Sequence, residues 1–430
     1  MTEKGSGLSL AAGDIGFAAA MYVVGACLGA LFFGHLTEKF GRKRLFMVTL
    51  VVYLLATVAT AFSFAPWFFF ACRFVTGMGI GGEYAAINSA IDELMPARLR
   101  GRIDLIINGS YWLGAAAGAA LTIVLLNPSV LPKDIGWRVA FGLGALLGLA
   151  VLVVRRHVPE SPRWLFIHGR EDVAERIVKR IESGVAEETG DDLAAVPDDK
   201  AMEIEQRQTT SFIEIGRTLL STYPRRTLLG LSLFVGQAFL YNAVFFTQGL
   251  VLTTFFKVGS GSAGWYILPL AIGNFLGPVV LGPFFDRWGR RVMIPLTYAL
   301  SGVLLLVTGG LFVAGLLNAL TQTLAWMVVF FVASAAASSA YLTVSELFPV
   351  ELRGMAIAVF YAVGTLAGAG APVLFGTIVD TGDPRQLLGG YAVAAAMMIA
   401  AAAVARVFGV DAERRSLEEI TAEPALDEGL

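Results

Sequence analysis

The sequence contains little charge and almost no cysteine. Charged residues make up 15% of the 430 positions and hydrophobic residues 56%, whereas an ordinary soluble domain has about 25% charged and about 45–50% apolar residues. A soluble protein needs more polar surface than this, and the same figures exclude a disordered chain, a collagen and a nucleic-acid-binding domain. The two cysteines, Cys27 and Cys72, lie in apolar runs, so the sequence offers no disulfide framework and no zinc site.

The sequence also lacks the motifs of nucleotide binding and nucleophilic catalysis. The glycine-rich residues 77–82 lie inside an apolar run without a preceding strand, and there is no phosphate-binding Gly-Lys-Ser or Gly-Lys-Thr. His35, His157 and His168 form no recognisable pattern with a candidate nucleophile. We therefore expect no catalytic residue, no metal, no cofactor and no enzymatic activity.

Long apolar runs dominate what is present. A membrane-spanning helix requires about 20 predominantly apolar residues, and the sequence predicts eleven such spans. They are residues 14–33, 45–65, 67–92, 105–127, 137–155, 227–256, 265–284, 293–316, 324–345, 355–378 and 388–408. The predicted fold class is an all-α polytopic membrane protein.

The basic residues are distributed unevenly among the loops. With the N-terminus outside, most of the 32 Lys and Arg residues fall on one side, including those of residues 39–44, 98–102 and 287–291. Because Lys and Arg concentrate in cytoplasmic loops, we expect a protein of the plasma (inner) membrane with a cytoplasmic C-terminus. Residues 156–226 are polar and predict a cytoplasmic linker with short helices, and the acidic residues 409–430 predict a mobile cytoplasmic tail.

Two loop motifs occur twice, in the same order. Residues 34–43 match residues 282–291 at an offset of 248, and residues 93–101 match residues 346–354 at an offset of 253. The sequence therefore predicts two homologous halves, an N-terminal bundle at 1–155 and a C-terminal bundle at 227–408. Parallel repeats of this kind are typical of secondary transporters, whose substrate site lies between the halves.

The two halves differ by one span. The C-terminal bundle has six predicted spans and its first motif follows the second of them, whereas the N-terminal bundle has five and the same motif follows the first. The N-terminal bundle therefore lacks the counterpart of the span at 227–256. We expect eleven of twelve spans, the first being absent. Either an N-terminal segment is missing, which we favour, or the protein works without its first helix.

These motifs resemble those of the major facilitator superfamily and, within it, of sugar porters and metabolite:proton symporters. The resemblance covers nearly the whole chain, and Gly81-Gly82-Glu83 looks more like the metabolite and organic-acid branch. It implies two pseudo-symmetric helical bundles that transport by alternating access. The residues that carry the resemblance are 34–43, 282–291, 93–101, 346–354, 159–165, Arg73, Gly77 and Gly81.

Uncharged amides inside the apolar spans are the candidate substrate ligands. By spacing, they match sugar-contacting positions of the sugar porters, whereas Tyr341 replaces a tryptophan and Gly364-Thr365 replaces an asparagine–tryptophan pair, which argues against a hexose. The alternative is that the amides hydrogen-bond between helices. The predicted substrate-binding residues, with Trp112 and Tyr341 as aromatic walls, are Asn108, Trp112, Gln237, Asn242, Asn274 and Tyr341.

The charged loop motifs predict a cytoplasmic gate. Glu38 and Asp286 begin tight turns, and their carboxylates are expected to pair with the arginines of the second loop motif, Arg100 and Arg353. Glu93, Glu346 and Glu160 would take the remaining basic partners. Such a network would hold the halves together when the site opens outward. The alternative is that these charges only retain the loops inside. The predicted gate residues are Glu38, Arg42, Glu93, Arg100, Glu160, Arg163, Asp286, Arg290, Glu346 and Arg353.

Arg73 and Glu83 are the charges deepest in a predicted span. Charged residues there are costly and usually functional. Ten residues of helix separate them by about 15 Å, so they cannot pair directly. We expect one to carry or sense a coupling proton and the other to bind an anionic group; the alternative is structural pairing with neighbouring helices.

The sequence thus predicts a secondary transporter that moves a small polar metabolite, an organic acid or a sugar-like solute, inward with protons. The alternatives are a uniporter or exporter of the same fold, a solute sensor that does not transport, and a truncated inactive chain. The expected partners are a small-molecule substrate, protons and the lipid bilayer, with no nucleic acid and with a monomeric protein.

Overall fold

The computed structural model describes residues 7, 8, 10, 12–127, 129–189, 212–245, 247–258 and 263–422, and every regular element in these residues is a helix. The helices are α1 (Ala12–Phe40), α2 (Arg42–Ala61), α3 (Pro66–Leu94), α4 (Arg100–Gly109), α5 (Tyr111–Leu125), α6 (Gly136–Arg155), α7 (Pro162–Ile167), α8 (Glu171–Thr189), α9 (Phe212–Ser221), α10 (Pro224–Phe245), α11 (Gln248–Phe256), α12 (Ala263–Arg287), α13 (Arg290–Val313), α14 (Ala319–Leu347), α15 (Val350–Asp380), α16 (Pro384–Phe408) and α17 (Leu417–Ala422). The predicted all-α fold class is confirmed.

Ten helical stretches among the described residues are long and apolar enough to cross a membrane. The eleventh predicted span corresponds to α3, which has 29 residues. The apolar run of α3 is interrupted by Arg73, Glu83 and four glycines. Two predicted spans are each divided in the structure: the span at 105–127 into α4 and α5, and the span at 227–256 into α10 and α11.

The helices form two bundles, α1 to α6 and α10 to α16, with α7, α8 and α9 between them in the chain. Of the predicted linker 156–226, residues 190–211 lie outside the described residues. One helix of the linker is α8, whose Val173, Ala174 and Ile177 pack against Trp164 and Leu165 of α7. The division into bundles and linker otherwise remains a prediction.

The turns of the two repeated loops have the same backbone geometry. Gly41, between α1 and α2, has φ +99°, and Gly289, between α12 and α13, has φ +88°. An L side chain rarely adopts such values, so glycine is required for the tight turn in both halves. We call the end of the bundles that carries Gly41 and Gly289 the basic end, and the opposite end the far end.

Glycines also set the closest helix contacts in each bundle. The backbone of α1 at Gly25 and Gly29 lies directly against α3, and that of α12 at Gly273 and Gly277 lies directly against α14. The two pairs are related by the same offset of 248 as the loop motif. Small residues allow helix backbones to approach closely in membranes, so the repeat extends from the loops into the packing.

Candidate functional site

Two buried ion-pair networks join the bundles at the basic end. Each is centred on a carboxylate that binds one arginine from its own bundle and one from the other bundle. Glu93 lies 3.2 Å from Arg42 and 3.2 Å from Arg353. Glu346 lies 3.0 Å from Arg290 and 3.5 Å from Arg100. The same internal repeat relates the two networks, so each bundle contributes an arginine to the other.

Burial distinguishes these pairs from ordinary surface salt bridges. The side chains of Glu93 and Glu346 are 0% and 1% exposed, and none of the four arginines exceeds 2%. A buried charge is tolerated only when it is paired and hydrogen-bonded. The networks are therefore intact only while the bundles remain in contact at this end.

A second pair of contacts links carboxylates to the backbone across the same interface. Asp286 accepts hydrogen bonds from the amides of Gly101 (3.1 Å) and Arg102 (2.8 Å). A carboxylate oxygen of Glu38 occupies the related place at Gly354, 2.6 Å from where a Cβ would stand. The two glycines therefore leave the space into which a carboxylate of the opposite bundle fits.

The predicted partners of Glu38 and Asp286 are wrong. These carboxylates do not pair with Arg353 and Arg100; they pair within their own bundle, Glu38 with Arg42 at 3.6 Å and Asp286 with Arg290 at 2.9 Å. The physical reason is that Glu93 and Glu346 already hold the arginines of the opposite bundle. Glu38 instead lies between Arg42 and Gly354, and Asp286 lies between Arg290 and Gly101.

The start of the linker binds to the same end. The Glu160 carboxylate accepts a hydrogen bond from the amide of Lys43 (3.0 Å), and Arg163 donates to the carbonyl oxygen of Glu93 (2.6 Å). The Ser161 hydroxyl donates to the Glu93 carboxylate. All ten predicted gate residues therefore lie in or beside one interface.

The C-terminal segment also packs at the basic end, contrary to the prediction of a mobile tail. Ala412, Leu417 and Ile420 are buried, and Arg100 donates to the carbonyl oxygen of Arg415 (3.3 Å). The apolar residues anchor this acidic segment, which charge composition alone did not reveal. Residues 423–430 of the predicted tail lie outside the described residues.

Glu83 forms an ion pair with a neighbouring helix, as in the alternative interpretation, although the sequence did not identify its partner. Its carboxylate binds Arg155 at the end of α6, and the Arg155 guanidinium lies 3.8 Å from the ring centroid of Phe46. Arg73 lies elsewhere on α3, 4.9 Å from the ring centroid of Tyr22. As expected from their spacing, Arg73 and Glu83 do not pair. Arg155 is the last residue of the predicted span at 137–155. A basic residue at the end of an apolar run is the sequence feature that could have identified this partner of Glu83.

Three of the four predicted substrate amides form hydrogen bonds within the protein. Asn108 donates to Asn88 (2.8 Å) across α4 and α3, and Asn274 accepts a hydrogen bond from the hydroxyl of Tyr241 (2.6 Å). Asn242 donates to the carbonyl oxygen of Ala238 (2.7 Å) in its own helix. Gln237 is half-buried on α10. The contacts of Asn108 and Asn274 are the interhelical hydrogen bonds of the alternative interpretation.

The aromatic residues meet between the bundles. Tyr84 of α3 stacks on Tyr341 (centroids 5.3 Å apart) and on Tyr361 (5.0 Å apart). Trp112 of α5 stacks on Tyr241 of α10, with centroids 5.6 Å apart. Trp112 and Tyr341 therefore both lie in contacts that cross from one bundle to the other, as a site between halves requires.

Sequence reasoning missed Asp104, which is completely buried on α4. Its carboxylate accepts a hydrogen bond from Asn108 (3.2 Å). The predicted span began at 105, whereas α4 begins at Arg100, so a carboxylate assigned to a loop lies inside the helix. An intramembrane carboxylate bonded to a predicted substrate ligand belongs to the candidate site.

Residues 2–423 match the family described as "Sugar (and other) transporter". The chain belongs to this family. It is therefore a multi-pass membrane transporter of the major facilitator superfamily, as the resemblance implied. Its relatives are transporters, and it is not an enzyme.

Several relatives of this family match most of the chain. The chain is 26% identical over 424 residues to the "Niacin transporter NiaP" of Acinetobacter baylyi, covering 98% of this chain and 90% of that protein. It is 28% identical over 367 residues to the "Probable 4-methylmuconolactone transporter" of Cupriavidus pinatubonensis, covering 85% and 75%. The solved structure of the proton:xylose symporter XylE bound to 6-bromo-6-deoxy-D-glucose matches with a TM-score of 0.77 and 19% identity over 95% of this chain and 88% of that chain. The likeness to XylE shows the fold.

Proposed function

We propose that this family member is a proton-coupled secondary transporter that moves a small polar metabolite by alternating access. The observation that carries the proposal is the pair of buried networks at the basic end. Alternating access needs an interface between bundles that is stable in one state and absent in another. Glu93 with Arg353 and Glu346 with Arg100 supply such an interface, because each pair is complete only when the bundles touch.

The basic end is the cytoplasmic gate in this proposal. Its excess of Lys and Arg favours a cytoplasmic position. In this proposal the C-terminus is cytoplasmic, and the protein acts as a monomer in the plasma membrane. The intact networks then correspond to a state closed toward the cytoplasm. Opening requires the networks to separate into hydrated groups, and substrate and proton binding must favour that opening.

The aromatic contacts between the bundles favour an organic acid over a sugar as substrate. Tyr84, Tyr341, Trp112 and Tyr241 offer ring faces, whereas the amides nearby already hold partners within the protein. A polyhydroxylated sugar needs many polar groups at its site, but a planar acid uses ring faces and few polar groups. Relatives named for niacin and for 4-methylmuconolactone support this choice.

Glu83 is the proton-coupling residue in this proposal, Arg155 its partner, and Arg73 the anion-binding residue. Ionised Glu83 is held by Arg155, and protonation weakens that ion pair, so the proton changes the contact between α3 and α6. Replacing Glu83 with glutamine mimics the protonated state. We expect Glu83→Gln to abolish substrate accumulation driven by a pH gradient and to preserve exchange of substrate across the membrane.

The measurement uses proteoliposomes with radiolabelled niacin and, separately, xylose. The matched control is Glu175→Gln, because Glu175 is 73% exposed on α8 and forms a surface pair with Lys179. Wild-type accumulation should follow the pH gradient, and counterflow should persist in Glu83→Gln. Counterflow without gradient-driven accumulation in the wild type would instead indicate a uniporter, and binding without counterflow a sensor. Normal accumulation by Glu83→Gln would remove Glu83 from the coupling mechanism.

A further inference from the structure

The linker helix α9 carries apolar side chains on two opposite sides. Ile215 and Leu219, four positions apart, are buried in the main hydrophobic core. Ile213 and Leu220, seven positions apart, are 83% and 71% exposed, and the exposed Arg217 lies between them on the same side of the helix. A surface helix of a soluble protein has polar residues on the side that faces away from its core. We call Ile213, Arg217 and Leu220 the outer side of α9.

Contacts at the turn after α9 place this helix at the basic end. Arg226, in the first turn of α10, donates to the carbonyl oxygen of Leu347 (2.7 Å), next to the gate residue Glu346. Tyr223 packs edge-on against Phe348, with ring centroids 5.9 Å apart. The helix itself packs against α10 and α15. The outer side therefore belongs to the same end of the molecule as the two ion-pair networks.

The helix folds back against the first turn of the span that begins with α10. The Thr227 hydroxyl donates to the carbonyl oxygen of Leu219 (2.7 Å), whereas eight residues of straight helix would separate these two residues by about 12 Å. The axis of α9 therefore does not continue the axis of α10 away from the membrane. Its C-terminal end lies beside the residues at which the span begins.

The outer side of α9 is continuous with the lipid-facing surface of α10. Leu220 and Leu228 directly follow the two residues that this hydrogen bond joins, and Leu228 is 49% exposed. Leu228 lies in a helix that is long and apolar enough to cross the membrane, so its exposed side faces acyl chains. The apolar surface of the span therefore extends onto α9.

An exposed tryptophan marks the membrane boundary at the same end. Trp288 is 54% exposed in the turn between α12 and α13, beside the exposed Arg287. Tryptophan at the ends of spans is typical of the headgroup region, where its ring is partly apolar and partly wet. The turns of the basic end therefore lie at the membrane surface, where α9 also lies.

These observations favour a lipid over a protein as the partner of the outer side. Stable protein–protein interfaces bury about 1,200–2,000 Å², whereas the outer side consists of two apolar side chains and one arginine. Apolar side chains next to a basic one are the pattern of helices that lie in the membrane surface. The charge of Arg217 complements a lipid phosphate, because a guanidinium binds phosphate through two parallel hydrogen bonds.

We propose that the outer side of α9 is a binding site for an anionic phospholipid of the leaflet at the basic end. Ile213 and Leu220 insert between the upper parts of the acyl chains, and Arg217 binds the headgroup. Phosphatidylcholine carries its own cation beside the phosphate and phosphatidylglycerol does not, so Arg217 prefers the anionic lipid. Because Ile215 and Leu219 hold α9 to the C-terminal bundle, the lipid attaches that bundle to the membrane surface.

Quenching of a fluorophore by spin-labelled lipids tests this site. Ile213→Cys, in full-length protein without Cys27 and Cys72, is labelled with an environment-sensitive fluorophore and reconstituted into phosphatidylcholine vesicles. A minor fraction of the lipid is then replaced by phosphatidylglycerol or, in parallel, by phosphatidylcholine with a nitroxide on the upper acyl chain. Leu220→Cys is an independent second site. Ile181→Cys is the matched control, because Ile181 is 40% exposed on α8, which packs on α7.

We expect spin-labelled phosphatidylglycerol to quench the fluorophore at positions 213 and 220 at about fivefold lower fractions than spin-labelled phosphatidylcholine. This factor is what one basic residue contributes near an anionic membrane surface. Arg217→Gln should abolish the preference and retain quenching by phosphatidylcholine, because the apolar side chains still insert. Position 181 should be quenched by neither lipid.

Equal quenching by the two lipids, or a preference that survives Arg217→Gln, would overturn the anionic site. Absence of quenching at 213 and 220 would show that water or another protein segment faces the outer side. Quenching at 181 as strong as at 213 would show that the fluorophore itself enters the bilayer, which would equally contradict the proposal. The readout requires no transport, so a failure of the proposed function would not affect it.

Discussion

Replacing Glu93 with alanine is expected to open the basic end. The substitution leaves Arg42 and Arg353 buried without their shared carboxylate, 3.2 Å from each in the intact protein. Removing one partner of a buried ion pair costs about 3–5 kcal/mol. The protein can avoid most of this cost by separating the bundles, which hydrates both arginines, so the state closed at the basic end should lose population.

Thiol labelling measures this opening directly. Leu105 is buried where α4 meets Gly282 of α12, so Leu105→Cys, in a background without Cys27 and Cys72, reports separation of the bundles. A change of about 3 kcal/mol corresponds to about a hundredfold increase in labelling rate by a water-soluble maleimide. We expect this increase for Glu93→Ala, and a partial return toward the wild-type rate when Arg353→Ala is added, since one of the two arginines that lose this carboxylate is then removed.

The matched control is Glu175→Ala, which removes an exposed pair with Lys179 worth about 0–1 kcal/mol. Its labelling rate should equal that of the otherwise unmodified protein. Labelling at the wild-type rate in Glu93→Ala would show that other contacts hold the bundles together and that the buried network is not the gate.

Replacing Gly277 with valine is expected to prevent normal packing of the C-terminal bundle. The position of its Cβ overlaps the carbonyl oxygen of Phe331, which belongs to the backbone of α14. A flexible side chain could move aside, but a helix backbone cannot, so α12 must shift away from α14. Overpacking of a side chain costs about 1–3 kcal/mol, and a backbone collision should exceed that range.

The yield of monodisperse protein and its unfolding temperature measure this effect. Gly310→Val is the matched control, because Gly310 is also helical and nothing lies within 4 Å of its Cβ position. Gly29→Val should reproduce the defect in the N-terminal bundle, where Gly29 contacts the backbone of Met78 in the same way. An unfolding temperature for Gly277→Val equal to that of Gly310→Val would show that the helices adjust to the added volume.

Much of the gate could be predicted from residue pattern. The repeated motifs identified Glu93, Arg100, Glu346 and Arg353, because charges of both signs that recur at one offset beside apolar spans are typical of a paired network. Their partners could not be predicted. Which arginine faces which carboxylate depends on how each helix is rotated against its neighbour. A linear motif does not contain the rotations that bring Glu93 to Arg353 and Glu346 to Arg100.

The same limit applies inside the membrane. Glu83 was recognisable as a charge in an apolar run, but its partner Arg155 is 72 positions away at the end of another helix. Asp104 was assigned to a loop because the apolar run that predicts the span begins only at residue 105. The helix α4, however, starts four residues before Asp104. Hydropathy averages over many residues, so it locates spans well and their ends poorly.

The sequence by itself determined that the chain is a helical membrane protein built from two related halves, with its charges gathered in repeated loops. These are properties of apolar length, composition and spacing, which the chain carries regardless of its neighbours. The tertiary structure alone decided the ion pairs between bundles, the Glu83–Arg155 contact and the aromatic stacking between the bundles. Those features depend on which faces of separate helices meet, and that is settled by close packing of side chains around the glycine contacts.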